Sequence, residues 1–150
     1  MTADRRYVKA GPVGRIFNAI VGWLTRLGLS LYGTRLLAVR GRKSGEWRAV
    51  PVNLLEHNGI RYLVAPRGET DWVRNLRAGG RGELRLGRHR DAFAATELSD
   101  DEKPPILRAY LSKWEFEVKT FFVGVGADAS EADLRQIAAG YPVFRIEPIS

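Results

Sequence analysis

The chain has 150 residues, enough for one hydrophobic core, and its 45% hydrophobic and 27% charged content is that of a folded globular protein. It has no cysteine, which excludes disulfides, thiolate metal sites and cysteine nucleophiles; its two histidines, His57 and His89, fall in expected turns and offer no metal cluster. The net charge of +7 is uneven, because Arg35 to Arg90 holds 13 Lys/Arg against 5 Asp/Glu, so a polyanionic partner is expected there.

In chain order, residues 1–11 read as a flexible tail carrying Arg5, Arg6 and Lys9. Pro12 opens an amphipathic helix over 12–28, with Val13, Ile16, Phe17, Ile20, Leu24 and Leu27 on one face. Only ten uncharged residues separate Arg15 from Arg26, too few to cross a bilayer. The helix is expected to pack on the core, with at most weak contact to an anionic membrane surface.

Strands dominate residues 34–98. Leu36 to Val39 reads as one strand and Trp47 to Glu56 as the next, with Gly41-Arg42-Lys43-Ser44-Gly45 as the hairpin loop between them. Two glycines bracketing two cations and a hydroxyl can hold a phosphate through N–H groups, the Ser44 hydroxyl and charge-assisted contacts. The alternative for the loop alone is a solvated basic turn. Pro51 implies a strand edge or a bulge, since it cannot donate to a ladder. Asn58-Gly59 is a two-residue hairpin signal before Ile60 to Val64. A short helix follows, with Asp71 expected as N-cap and Gly79 as the residue beyond its end, and with Trp72, Asn75 and Leu76 on one face. Glu83 to Leu86 and Asp91 to Leu98 read as a hairpin turning near Arg88-His89.

The last third, residues 99–150, is more helical. Ser99 and Glu102 have capping-box spacing, yet Pro104 and Pro105 favour a helix beginning near Pro104, with Ile106, Leu107, Tyr110, Leu111 and Trp114 facing the core. Phe116 to Val123 fits helix or strand. Ser130 and Asp133 start a further helix ending at Gly140, and Pro142 to Glu147 reads as a closing strand. No linker or repeat divides the chain, so a single domain is expected.

The ordered set of strand, Gly-Arg-Lys-Ser-Gly loop, strand with Arg48 and Pro51, Asn-Gly hairpin and Trp72-Val73-Arg74-Asn75-Leu76 resembles the deazaflavin (F-420)-dependent nitroreductase family. The resemblance is good from Arg35 to Leu98 and weaker at Pro142 to Pro148. It implies an α+β fold, a split β-barrel of the FMN-binding-like roll type with short helices and an N-terminal amphipathic helix. It also implies a groove for the deazaflavin coenzyme F-420, with FMN as the alternative. That coenzyme carries a phosphodiester and an acidic tail, in keeping with the local excess of positive charge. By position, the resemblance assigns Arg42, Lys43, Ser44 and Gly45 to phosphate and tail, and Arg48 and Pro51 to the groove wall. It assigns Ala65, Pro66 and Arg67 to the loop after the third strand, and Trp72 and Asn75 to the helix approaching the ring.

Three departures stand out. Trp47 replaces a proline common in the family, the Pro66–Thr70 loop is shorter, and Phe116 to Ala129 replaces the family's tyrosine-bearing substrate segment. Tyr62, Tyr110 and Trp114 are candidate pocket residues, Tyr110 being the candidate proton donor, although each also suits a core. The expected function is reduction of a small apolar or conjugated acceptor of nitroaromatic, enone or quinone type by reduced F-420. The alternatives are a deazaflavin or flavin carrier without turnover, and a basic nucleic-acid-binding module. The latter lacks an aromatic RNA-binding signature or a base-reading helix, so no nucleic-acid partner is expected. A cytoplasmic monomer or homodimer is expected, peripheral at the inner membrane face if the N-terminal helix touches lipid.

Overall fold

The computed structural model describes residues 34–149 apart from Lys119, Thr120 and Val123, with only the backbone of Phe116 and Glu117. The expected tail and amphipathic helix of residues 1–28 lie outside the described residues. Six antiparallel strands form a closed barrel: β1 (Thr34–Arg40), β2 (Trp47–His57), β3 (Ile60–Val64), β4 (Arg81–Leu86), β5 (His89–Glu97) and β6 (Val143–Pro148). Around the barrel the order is β1-β2-β3-β6-β5-β4, so β6 sits between β3 and β5.

Alternation along the strands sorts side chains between the inside of the barrel and an outer layer. Leu37 and Val39 of β1, Leu54, Leu63, Leu84, Phe93, Phe144 and Ile146 form the interior core. On the opposite face, Leu55, Tyr62, Val64 and Val143 pack under two helices, α2 (Pro104–Val118) and α3 (Glu131–Ile137). A third helix, α1 (Asp71–Gly79), adds Val73 and Leu76 to the interior core, each worth about 1.5–3 kcal/mol when fully buried.

The β1–β2 register is unbroken from Thr34 opposite Asn53 to Arg40 opposite Trp47, with Pro51 facing Leu36. β3 pairs only with Leu54 to His57. Pro51 therefore lies where β2 has one strand neighbour among the described residues, and the edge expectation holds rather than the bulge. The Asn58-Gly59 turn forms with φ of 53° and 78°, both left-handed, as such a tight hairpin requires.

The ends of α1 differ by one residue from expectation. Thr70 is the N-cap, in extended backbone, and Asp71 is already helical, where its charge favours the helix dipole. Gly80, with φ of 72°, takes the left-handed position that was expected at Gly79. The capping box at Ser99 does form, over a single 3₁₀ turn, and α2 starts separately at Pro104. The ambiguous aromatic run continues α2 through Val118. At the far end, the Ser130 hydroxyl caps α3 by accepting from the Asp133 N–H at 3.1 Å.

Candidate functional site

The β1–β2 loop is a tight turn with its own hydrogen-bond closure. The Gly41 N–H donates to the Glu46 carbonyl at 2.7 Å, the Gly45 N–H to the Gly41 carbonyl at 2.9 Å, and the Glu46 N–H to Ser44 Oγ at 3.2 Å. Gly45 has a φ of +73°, which strains any other L-residue, and a Cβ at Gly41 would lie 2.8 Å from Ser44 Oγ. The expected capture of an anion by a run of loop N–H groups is thereby narrowed, since most of these groups already have partners. Lys43 and Ser44 form the exposed tip. Arg40 braces the loop from the strand, donating from Nη1 to the Gly45 carbonyl at 2.9 Å while its guanidinium lies 4.4 Å from the Trp47 ring centre.

Helix α1 fixes the loop from the other side. Asn75, 4% exposed, presents Oδ1 to the Arg42 N–H at 3.0 Å and to Arg42 Nη1 at 2.8 Å. The same guanidinium lies 3.7 Å from Asp71, whose carboxylate is 79% exposed, so that ion pair is heavily screened. Asn75 is thus neither a surface amide nor free to point elsewhere: its oxygen is committed to Arg42. Trp72 is half-buried, its ring 6.0 Å from that of Phe144, and stands at the rim of the interior core.

The loop after β3 is anchored at its base. The Ala65 N–H donates to the Pro142 carbonyl at 2.9 Å and Gly68 N–H to the Ala65 carbonyl at 3.2 Å. Ala65 is buried in the interior core, while Pro66 and Arg67 are half-buried. Arg77, near the C-terminal end of α1, then ties this loop to β5. Its Nε and Nη2 reach both carboxylate oxygens of Glu97 at 2.7 and 2.8 Å, and Nη1 and Nη2 reach those of Glu69 at 3.2 and 3.0 Å. The Glu97 hydrogen bond, with Glu69 behind it, holds the guanidinium well above arginine's ordinary range. An open cavity of about 650 Å³ borders this clamp, lined by Glu69, Arg77, Glu97, Leu98, Ser99 and Asp100. Its three carboxylates against one engaged arginine do not suit an anionic ligand.

The structure brings together Arg42, Lys43, Ser44, Gly45 and Asn75, with Arg48 on the adjoining strand opposite Val39. Pro51 sits further along β2. Tyr110 is not brought to this rim: it is 2% exposed in the outer core, its ring 5.2 Å from Trp114 and 6.3 Å from Phe122. Tyr62 and Trp114 are buried in the same core. Sequence reasoning missed the Arg77 clamp, Arg40's brace and Lys103. The last is 1% exposed and donates to Asp100 at 2.7 Å and the Ala138 carbonyl at 3.0 Å. Lys103 followed by two prolines after an acidic turn was a faint signal; for Arg77 there was none, because its partners are 8 and 20 residues away.

A six-stranded antiparallel barrel of this order, with a basic hairpin loop at one rim, has the architecture of the split-barrel flavin- and deazaflavin-binding proteins. Among solved structures the chain is similar to one described as a domain-swapped dimer, at a TM-score of 0.54 and 20% identity over 91% of this chain and 100% of that one. It is also similar to an F-420-H2-dependent reductase, FDR-A, at 0.53 and 22% identity over 80% of this chain and 100% of that one. A third is a protein of unknown function from Agrobacterium tumefaciens, at 0.56 and 17% identity over 85% and 53%. At such identities the likeness establishes the fold. No curated protein matches the sequence. The profile of the family described as F-420H(2)-dependent quinone reductase matches residues 15–119, well over half of the chain. The chain belongs to that family: it is an F-420-dependent reductase, and its coenzyme is the deazaflavin.

Proposed function

We propose that the protein transfers a hydride from reduced F-420 to a conjugated organic acceptor of quinone type, with nitroaromatics and enones as further acceptors. The observation carrying this reading is the basic loop at the barrel rim, held in one conformation by α1 and β1. Its donor set fits the coenzyme's anionic part: Lys43 and Ser44 at the tip, Arg42 behind them and Arg48 beside them supply several charged or hydroxyl donors within one turn. In this reading Gly45 permits the turn, and Pro51, Ala65, Pro66, Arg67 and Trp72 border the space for the ring system. When bound in its reduced form, the deazaflavin supplies a proton with two electrons, so the protein needs no nucleophile of its own. The chain's residues orient the coenzyme and shield the reacting face from water. Tyr110, enclosed among Trp114 and Phe122, supports the outer core rather than the delivery of a proton.

Residues 1–150 act in this reading as a single domain, with the coenzyme groove within 34–98. A homodimer is favoured by the relative solved as a domain-swapped dimer. No helix among the described residues is long and apolar enough to cross a membrane. A cytoplasmic enzyme with peripheral membrane contact through residues 12–28 accords with a lipophilic acceptor.

The test is fluorescence titration of the purified protein with oxidised F-420 and with FMN, followed by mixing with reduced F-420 and a soluble quinone. Binding of the deazaflavin in preference to FMN, with quinone-dependent loss of the reduced form, is expected. Binding without turnover on any acceptor would favour a carrier instead.

A further inference from the structure

The buried amide of α1 has a role distinct from binding. We infer that Asn75 is a positioning residue: it locks Arg42 and the β1–β2 loop in the conformation that receives the coenzyme's anionic part, and does not touch the coenzyme itself. The inference rests on the proposed role of the loop.

Its basis is the geometry of one oxygen. Asn75 Oδ1 accepts from the Arg42 main chain and side chain together, at 3.0 and 2.8 Å. Both donors demand the amide oxygen, so chemistry fixes the orientation of the amide. The two bonds constrain both the backbone and the side chain of one residue, at the position just before Lys43. Asn75 itself is held, being 4% exposed and next to the buried Leu76 on α1. A rigid helix thus dictates where the loop tip sits. Without Asn75 the loop would keep its internal hydrogen bonds and the Arg40 brace, but Arg42 would no longer be tied to α1, and an anion would have to order it on binding, which weakens affinity. Substituting a neutral oxygen for a carboxylate at this place has a second consequence. Asn75 holds Arg42 without cancelling its charge, so the positive field at the rim survives the restraint. An aspartate would hold the loop equally well and neutralise it.

The experiment uses the whole chain and three variants: Asn75→Ala, Asn75→Asp and Arg42→Ala with Lys43→Ala. Two ligands are titrated by fluorescence, intact F-420 and the deazaflavin riboside that lacks phosphate and tail, at low and at 0.5 M salt (~4 Å screening length). Asn75→Ala should weaken intact coenzyme about tenfold, the loss of one good hydrogen-bonded restraint, and leave the riboside unchanged. Asn75→Asp keeps the acceptor: it should bind intact coenzyme weakly at low salt and approach the native protein at high salt. Equal losses for both ligands in Asn75→Ala would overturn the inference, showing a general structural role or a ring contact. So would native affinity for intact coenzyme in Asn75→Ala while the loop double variant is impaired. If the double variant also binds as the native protein, the loop is not the anion site, and the loop's proposed role fails with it.

Discussion

Helix α1 fixes two arginines in opposite ways, Arg77 in its last turn and Arg42 through Asn75 at its middle. At the C-terminal end, Arg77 is gripped by two bidentate carboxylates, Glu69 and Glu97, and its charge is satisfied within the protein. At the middle of the helix, Arg42 is held by the neutral amide oxygen of Asn75, with the exposed carboxylate of Asp71 3.7 Å away. Both arrangements fix a loop to the same helix. Only the second leaves a positive field for something else to use. Immobilising a cation and neutralising it are separate acts, and the chain does one without the other where the coenzyme is expected.

The strongest way to break this contrast is to unseat the helix. Leu76→Ala removes a fully buried side chain from the interior core and should cost about 2–5 kcal/mol, measured by urea unfolding. Both attachments should suffer, so coenzyme affinity falls together with stability. Next comes the double change Arg42→Ala with Lys43→Ala, which separates the two. It should cost roughly 2–4 kcal/mol in binding of intact F-420 but only about 1 kcal/mol in stability, because Lys43 is exposed and the Asn75 oxygen keeps the Arg42 main-chain N–H. The mirror experiment is Arg77→Met. Its side chain is 38% exposed, so the clamp's worth is discounted to about 1 kcal/mol of stability, with unaltered coenzyme affinity. A loss of affinity in Arg77→Met would erase the distinction between the two arginines.

The smallest effect tests a carboxylate engaged by its own cap. The Ser99 N–H and hydroxyl donate to Glu102 at 2.9 Å each, and the backbone bond foremost holds its pKa below the usual carboxylate value. A lowered folded-state pKa means the contribution is complete above the unfolded value near 4.5 and is lost as pH falls through the folded one. The native protein should therefore lose slightly more stability on acidification than Glu102→Gln, by thermal melting at pH 7 and below that value.

How much of this was legible in the sequence depended on distance along the chain. The Gly41–Gly45 hairpin, the Asn58-Gly59 turn and the inward face of α2 all follow from neighbours a few residues apart, and each forms as its local chemistry dictates. The helical spacing put Trp72, Asn75 and Leu76 on one face, and in the fold Asn75 and Leu76 are buried with Trp72 half-buried. It could not say that 33 residues upstream Arg42 would supply both donors. Nor could it place Tyr110: the residue type suits a proton donor, and the fold surrounds it with Trp114 and Phe122. The one-residue shift at Thr70 is a matter of backbone alone: Thr70 is extended and its hydroxyl makes no capping bond, while Asp71 is already helical.

The barrel's strand order has a consequence for how the protein is made. β6 fills the gap between β3 and β5, yet it is synthesised only after the entire helical layer of α2 and α3. While the chain emerges from the ribosome, β3 and β5 must wait with open edges and an uncovered interior, Leu63 and Phe93 among the side chains left facing water. Closure by so distant a partner is slow relative to local pairing. In the finished fold α1 lays Val73 and Leu76 against that same interior, so the helix that carries Asn75 also stops one side of the barrel core.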